Sequence, residues 1–257
     1  MESIHRTGTI SFQVVLFCLA ASGAPSQPSD PVALTAEQIV DRVAKADDRR
    51  RDLLLEYTAT RRYLLHNPRM KHDAEMLVRV NYRKGQGKFF QVLASGGAEG
   101  ISRRVFDKLL TGEAEGSHKN NVDRNLSSQN YEFRLIGWEV REEHRCYVLE
   151  LTPKTKSKYL LNGKAWIDAE DFAVVRIEGR PSASLSFWVG KPYIVQEFQK
   201  LGDFWMASRN LSHSETRLLG TSDLTIESSA YRVNGAGSES LAVNQSRRVR
   251  SRAGTLD

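Results

Sequence analysis

Between residues 53 and 65 apolar side chains fall on every second position: Leu53, Leu55, Tyr57, Ala59, Tyr63 and Leu65 share one parity, and Glu56, Thr58, Thr60 and Arg62 the other. A period of two marks a half-buried strand, because successive side chains leave opposite faces of the pleat. His66, Asn67 and Pro68 end it. Met76, Val78, Val80 and Tyr82 resume the alternation against Glu75, Arg79, Asn81 and Arg83, and the turn at Gly85 to Gly87 leads into a third strand over 88–94. An antiparallel meander is predicted. Ahead of it the period is helical: Ile39, Val43 and Ala46 share one face, and Asp41, Arg42, Lys45, Asp47 and Asp48 the other. Thr35 with Gln38 three residues on makes a capping box, which predicts a helix over 36–52. After the glycine-rich loop 96–100, Ile101, Val105, Phe106, Leu109 and Leu110 predict a second helix over 101–111. Residues 112–130 are polar, carry Gly112 and Gly116, and read as a mobile surface loop or a short helix.

From 131 to 233 the pattern is almost wholly strand-like, with segments at 131–140, 145–151, 158–167, 173–179, 185–189, 193–200, 204–211 and 224–233. With the meander this gives about eleven strands. A sheet of that size curls, and helices on its concave side enclose an apolar space. The expected class is mainly β with a few α: a strongly curved antiparallel half-barrel with both helices on the concave face.

The chain ends add a destination. Arg6 followed by the apolar run from Ile10 to Ala21 and the small residues Ser22, Gly23 and Ala24 reads as a secretory signal over 1–24. That run falls well short of the roughly 20 residues needed to span a bilayer, so cleavage and a soluble exported protein are expected. Cys18 follows Phe17 rather than a small residue and lies inside the apolar run, which disfavours a lipid anchor. Residues 25–34 form a Pro- and Ser-containing linker, 35–233 the folded domain, and 234–257 a disordered tail rich in Gly, Ser, Ala and Arg. Only Cys146 remains after cleavage, leaving no internal disulfide. The net charge of +6 suits an anionic partner, and export makes nucleic acid the poorest one.

No catalytic signature accompanies this architecture. His66, His72, His118, His144 and His213 do not reach metal-ligand spacing, and Gly-x-Ser-x-Gly, Gly-x-Gly-x-x-Gly, the P-loop and His-Glu-x-x-His are absent. No cofactor or metal is expected, and Asp168, Glu170 and Asp171 read as turn residues rather than cation ligands. One residue breaks the β pattern: Arg61 shares the parity of Tyr57, Ala59, Tyr63 and Leu65 and points a cation into the apolar face. A buried charge without a partner is costly. Arg61 therefore has a functional contact, pairs with a core carboxylate, or escapes through a twist of the strand.

Three stretches carry a family resemblance: Gly163-Lys164-Ala165-Trp166-Ile167-Asp168, then Ala173-Val174-Val175-Arg176-Ile177-Glu178-Gly179, then Leu201-Gly202-Asp203-Phe204-Trp205. Set in the order signal, helix, long strand, meander, helix and many strands, they resemble the LolA/LolB-like outer-membrane lipoprotein-sorting and lipid-carrier family over residues 35–233. The resemblance implies a periplasmic carrier or chaperone, not an enzyme, acting as a monomer. It would bind acyl chains of lipids or lipoproteins in a cavity and make transient contact with the membrane or membrane-bound transport components. The implied lining is Leu55, Tyr57, Ala59, Arg61, Tyr63, Leu65, Met76, Val78 and Val80, with Arg61 the candidate for an arginine that holds a lid. Two other functions compete: an envelope-stress sensor of similar fold, whose family carries a further C-terminal domain that this chain lacks, and a lipid-modifying enzyme.

Overall fold

A computed structural model describes residues 34–70, 72–97, 101–117, 125–184, 191–216 and 220–237. The expected signal, most of the linker, the strand at 185–189 and the tail beyond 237 lie outside the described residues.

The first helix, α1 (Ala36–Leu53), starts where the capping box places it. Gln38 N donates to Thr35 Oγ1 at 3.3 Å, and Thr35 N donates to Gln38 Oε1 at 3.0 Å. These bonds satisfy backbone donors that the first turn leaves free. Its buried stripe is Ala36, Ile39, Val40, Val43 and Ala46. The meander β1 (Glu56–His66), β2 (Ala74–Arg83) and β3 (Gly87–Gly96) follows, then α2 (Ile101–Ser117). The rest is strand: β4 (Tyr131–Arg141), β5 (His144–Pro153), β6 (Leu161–Asp168), β7 (Val174–Pro181), β8 (Tyr193–Leu201), β9 (Phe204–Thr216), β10 (Gly220–Val233) and the two-residue β11 (Ala236–Gly237).

The strands form one antiparallel sheet in the order β3-β2-β1-β10-β9-β8-β7-β6-β5-β4, with β11 attached to β10. β3 and β4 end the path without pairing to each other, so the half-barrel is open. Cross-strand partners point to the same side. The register therefore threads one face through Tyr63, Ile226, Asn210, Gln196, Ile177, Ala165 and Leu149. Both helices lie on that face. α1 packs on Tyr147, Leu149, Leu151, Ala165 and Ile167, and α2 on Tyr63, Leu65, Ala74, Met76 and Val78. The opposite face carries Arg62, Glu227, Arg209, Glu197 and Arg176 side by side, alternating in sign, and Arg209 Nε lies 3.9 Å from Glu227 Oε1. Exposed pairs of this kind contribute little stability, about 0–1 kcal/mol each. They mark the water-facing side over β1, β10 and β9; past Arg176 the row runs into the buried Trp166 and Val148.

β6 starts later than expected, β9 ends later and β10 starts earlier, and three further differences bear on the site. Leu53 and Leu55 share the parity of the β1 stripe, yet Leu53 ends α1 and Leu55 precedes β1, both more than half exposed. The cause is Asn234, whose Oδ1 accepts from Leu55 N at 2.9 Å and Glu56 N at 3.2 Å while its Nδ2 donates to Leu53 O at 2.8 Å. Asn234 itself, expected in a disordered tail, sits in a left-handed turn at φ 48° that leads into β11. Finally, α2 runs on through Gly112 to Ser117, beyond the expected end at 111.

Candidate functional site

The N-terminal half of the helix-bearing face is built on β1 and β2. Ala59 pairs with Val80, Arg61 with Val78, and Tyr63 with Met76 in register, so their side chains stand in two adjacent rows. Of the nine expected lining residues, eight are brought together and buried: Tyr57, Ala59, Arg61, Tyr63, Leu65, Met76, Val78 and Val80. Leu55 is the exception and lies 59% exposed outside the stripe, for the reason given above. The apolar ones among the eight fall into two packed clusters: Tyr63, Leu65, Met76 and Val78 lie against α2, whereas Tyr57, Ala59 and Val80 pack with Leu201, Met206, Tyr231 and Val233. Phe106 of α2 is fully buried against Tyr63, with ring centroids 6.1 Å apart and planes at 64°, and Val105, Leu109 and Leu110 pack around it.

At the polar centre of this interface stands Arg61, only 7% exposed. Its Nη1 donates to both carboxylate oxygens of Glu113 on α2, at 2.6 Å and 2.8 Å. Lys88 Nζ on β3 reaches Glu113 Oε1 at 2.7 Å. The alternative of a carboxylate partner for Arg61 is thus realised, and that carboxylate belongs to the helix covering the face. Burial alone would raise the Glu113 carboxyl, but the adjacent Lys88 and Arg61 overcome it and hold the group below its ordinary value. Burial likewise opposes the charge on Arg61, and Glu113 outweighs it, so the guanidinium proton is held more tightly than usual.

Tyrosines surround the pair. Tyr57 stacks on Tyr82 at 5.2 Å and tilts against Tyr231 at 6.0 Å, and Tyr231 Oη donates to Ala207 O at 2.6 Å. Burial raises the Tyr57, Tyr63 and Tyr231 hydroxyls, so all three stay neutral donors. Among the described residues, Arg61 Nε and Tyr63 Oη are buried with no hydrogen-bond partner.

Glu113 was not singled out in the sequence, although a signal for it exists. Leu109 and Leu110 lie four and three residues before it, so it occupies the next slot of the apolar stripe of α2. A carboxylate at that slot is the complement of the cation in the β1 stripe. The glycines at 112 and 116 hid the continuation.

Elsewhere on the same face, an apolar recess of about 300 Å³ opens between the end of α1 and the sheet, lined by Leu54, Val174, Phe198, Phe204 and Met206 and rimmed by Asp47, Arg50 and Arg51. A larger cleft, about 590 Å³, lies at the Tyr57 end of β1. Thr58, Asn81, Phe89 and Arg232 give that cleft a mixed wall on the opposite face, away from the Arg61 cluster.

The acidic cluster at 168–171 is a turn, as expected. Asp168 Oδ1 accepts from Glu170 N at 3.0 Å and Asp171 N at 2.6 Å, and its Oδ2 lies 2.9 Å from His144 Nδ1. Asp171 Oδ2 is taken by Trp205 Nε1 at 2.9 Å and Lys200 Nζ at 2.5 Å. Among the described residues no group of three or more His, Cys, Asp or Glu is placed to hold a metal ion, and no helix is long and apolar enough to cross a membrane. The Cys146 thiol is buried and pushed up to about 11, mainly by desolvation, which keeps it in the protonated thiol form at neutral pH.

No curated protein matches the sequence. Solved structures similar to it include a LolA superfamily protein from Nitrosomonas europaea, at 14% identity and TM-score 0.42, covering 79% of this chain and 94% of that one. Another is a putative outer membrane lipoprotein-sorting protein domain from Vibrio parahaemolyticus, at 13% identity and TM-score 0.40, covering 76% and 93%. A third is a DUF1329 family protein from Desulfovibrio piger, at 14% and 0.36, covering 76% and 92%. No residue role follows from likenesses of this size. A family model described as "-like: Uncharacterized protein" matches residues 100–234, more than half of the 257 residues, and the chain belongs to the family that this model describes.

Proposed function

We propose that the protein is a periplasmic carrier that holds the acyl chains of a lipid or lipoprotein between the sheet and α2, with no catalytic step. The observation that carries this reading is the part of the β1–β2 face formed by Tyr63, Leu65, Met76 and Val78: an apolar surface beside Arg61, covered by one helix that is fastened by Phe106 and by an ion pair. A packed core needs no salt bridge at its centre, because replacing a buried ion pair by apolar side chains is commonly neutral or stabilising. A cover that must leave and return is served by such a pair, which fixes one closed position and opens to a hydrated state. The energetics suffice. A few hundred Å² of acyl surface at about 25 cal/mol per Å² gives on the order of 10 kcal/mol gross, enough to displace the side chains of α2 and retain useful affinity.

Lipid extraction from protein purified without detergent, followed by mass spectrometry, tests the reading. Stoichiometric recovery of an acyl lipid is the expected result. Absence of bound lipid, together with no uptake of fatty acid or phospholipid from vesicles, would remove the carrier function.

A specific observation favours a second reading, a regulatory binding protein. Among the described residues β4 and β3 are the edges of the sheet; β4 exposes Ile136, Trp138 and Val140, and β3 exposes Phe89, Val92 and Leu93. Open edges with exposed apolar side chains are templates for an added strand of a partner protein.

A further inference from the structure

The Arg61 cluster poses a problem for any carrier whose cover is α2. When α2 lifts to admit an acyl chain, Glu113 leaves with it, while Arg61 stays on β1 in the apolar face and Lys88 stays beside it on β3. A hydrocarbon laid over that face would bury an unpaired guanidinium, which is costly. The ligand must therefore bring an anion of its own, or Arg61 would oppose the very binding that the face favours.

The donors present fit such an anion better than they fit Glu113. Both Glu113 oxygens crowd onto Arg61 Nη1, and the neighbouring Nε is buried without a partner among the described residues. A planar carboxylate or a phosphate is best held by the guanidinium fork, through two parallel N–H donors. Two residues along the same face, Tyr63 is 1% exposed, and its hydroxyl, beside Arg61, makes no hydrogen bond among the described residues. Lys88 supplies a second cation at the same carboxylate while α2 is closed.

We propose that Arg61, Tyr63 and Lys88 form a binding site for the anionic headgroup, carboxylate or phosphate, of an acyl ligand, and that Glu113 is the internal occupant which that headgroup displaces. This rests on the carrier reading and adds to it the chemistry of the ligand. Closure and loading are then alternatives at one guanidinium. Glu113 fills the site when no ligand is bound, which keeps Arg61 paired in both states, and the incoming anion releases α2 by taking its anchor.

The test is calorimetric titration of the full folded chain with decanoate, decyl phosphate, decanol, and acetate or inorganic phosphate alone. The expected result for the wild type is that decanoate and decyl phosphate bind at least tenfold tighter than decanol, with the free anions too weak to measure. Glu113→Gln, which frees α2 from the pair and keeps the shape, should tighten decanoate, decyl phosphate and decanol alike, about tenfold, and leave the anionic ligands at least tenfold tighter than decanol. Arg61→Gln should erase the preference for the anion. If that variant does not fold, Lys88→Gln, which leaves the Arg61–Glu113 pair intact, should narrow the gap in the same direction. Equal affinities for decanoate and decanol in all folded forms overturn the headgroup site and leave the carrier standing. Inorganic phosphate binding as tightly as decyl phosphate overturns it in favour of a free-anion site. No binding of any acyl ligand to any form overturns the site and the carrier together.

Discussion

Phe106→Ala separates a cover from a core. The Phe106 ring is fully buried against Tyr63, Leu65, Met76 and Val78. A buried phenylalanine removes roughly 150–250 Å² from water, about 4–6 kcal/mol gross, and measured Phe→Ala changes in packed sites run about 3–5 kcal/mol. If α2 opens as a unit of its own, that energy weights the opening of α2 and leaves the remainder of the fold untouched. At about 1.4 kcal/mol per factor of ten, 3–5 kcal/mol multiplies the open population by roughly 10² to 10³·⁵. Resettling of the helix takes back part of this, so at least a hundredfold is expected. Hydrogen exchange read by mass spectrometry supplies the measurement: peptides over 101–117 should exchange a hundredfold faster or more, and peptides over α1, β5 and β6 at the wild-type rate. Those latter elements form a separate cluster around Ile39, Val43, Leu149 and Ile167. Uniform acceleration across both clusters would show that α2 is part of one cooperative core, and acceleration of α2 below about threefold would show that Phe106 does not hold it.

Gly112→Ala should act in the opposite sense, slowing exchange in α2 by roughly 0.5–1 kcal/mol equivalent, because a Cβ there meets nothing within 4 Å and alanine restricts the unfolded chain. Arg61→Leu should loosen α2, leaving Lys88 as the cation beside Glu113, and change the rate of ligand release; Arg62→Leu, on the opposite face and paired with Glu75 at 2.7 Å, should leave release and melting close to wild type. Because the Glu113 carboxyl is held below its ordinary value near 4.5, its contact contributes fully above about pH 4.5 and is lost as pH falls through the folded value. A spin label at the exposed Lys108→Cys, in a Cys18→Ser background where the buried Cys146 stays unlabelled, should gain mobility across that range, and Glu113→Gln should abolish the transition.

What the sequence disclosed depended on how local each determinant was. The capping box of Thr35 and Gln38 acts across three residues, and α1 begins where it stands. Parity alone placed Tyr57 to Leu65 on one buried face and marked Arg61 as out of place, because one buried face of a strand imposes its period on every residue. The same parity continued back through Leu55 and Leu53 without consequence, since the exit from α1 is decided by Asn234, far along the chain. Likewise, Gly112 and Gly116 argue locally for a helix end after Leu110, and packing against Arg61 and Lys88 overrides that propensity. The partner of Arg61 was invisible for this reason: it lay on a turn of helix that only the sheet stabilises. Nothing in the pattern could show whether the apolar face is open or covered, because that depends on how closely Phe106 seats on Tyr63.

Photo-crosslinking with a diazirine fatty acid, with the adducts mapped by mass spectrometry, reads out whether acyl chains bind between α2 and the β1–β2 face. Adducts are expected within 57–65, 74–80 and 101–113, lost on competition with unlabelled fatty acid. Adducts confined to the opposite-face cleft at Asn81, Arg83 and Phe89, or none that competitor removes, would contradict binding there.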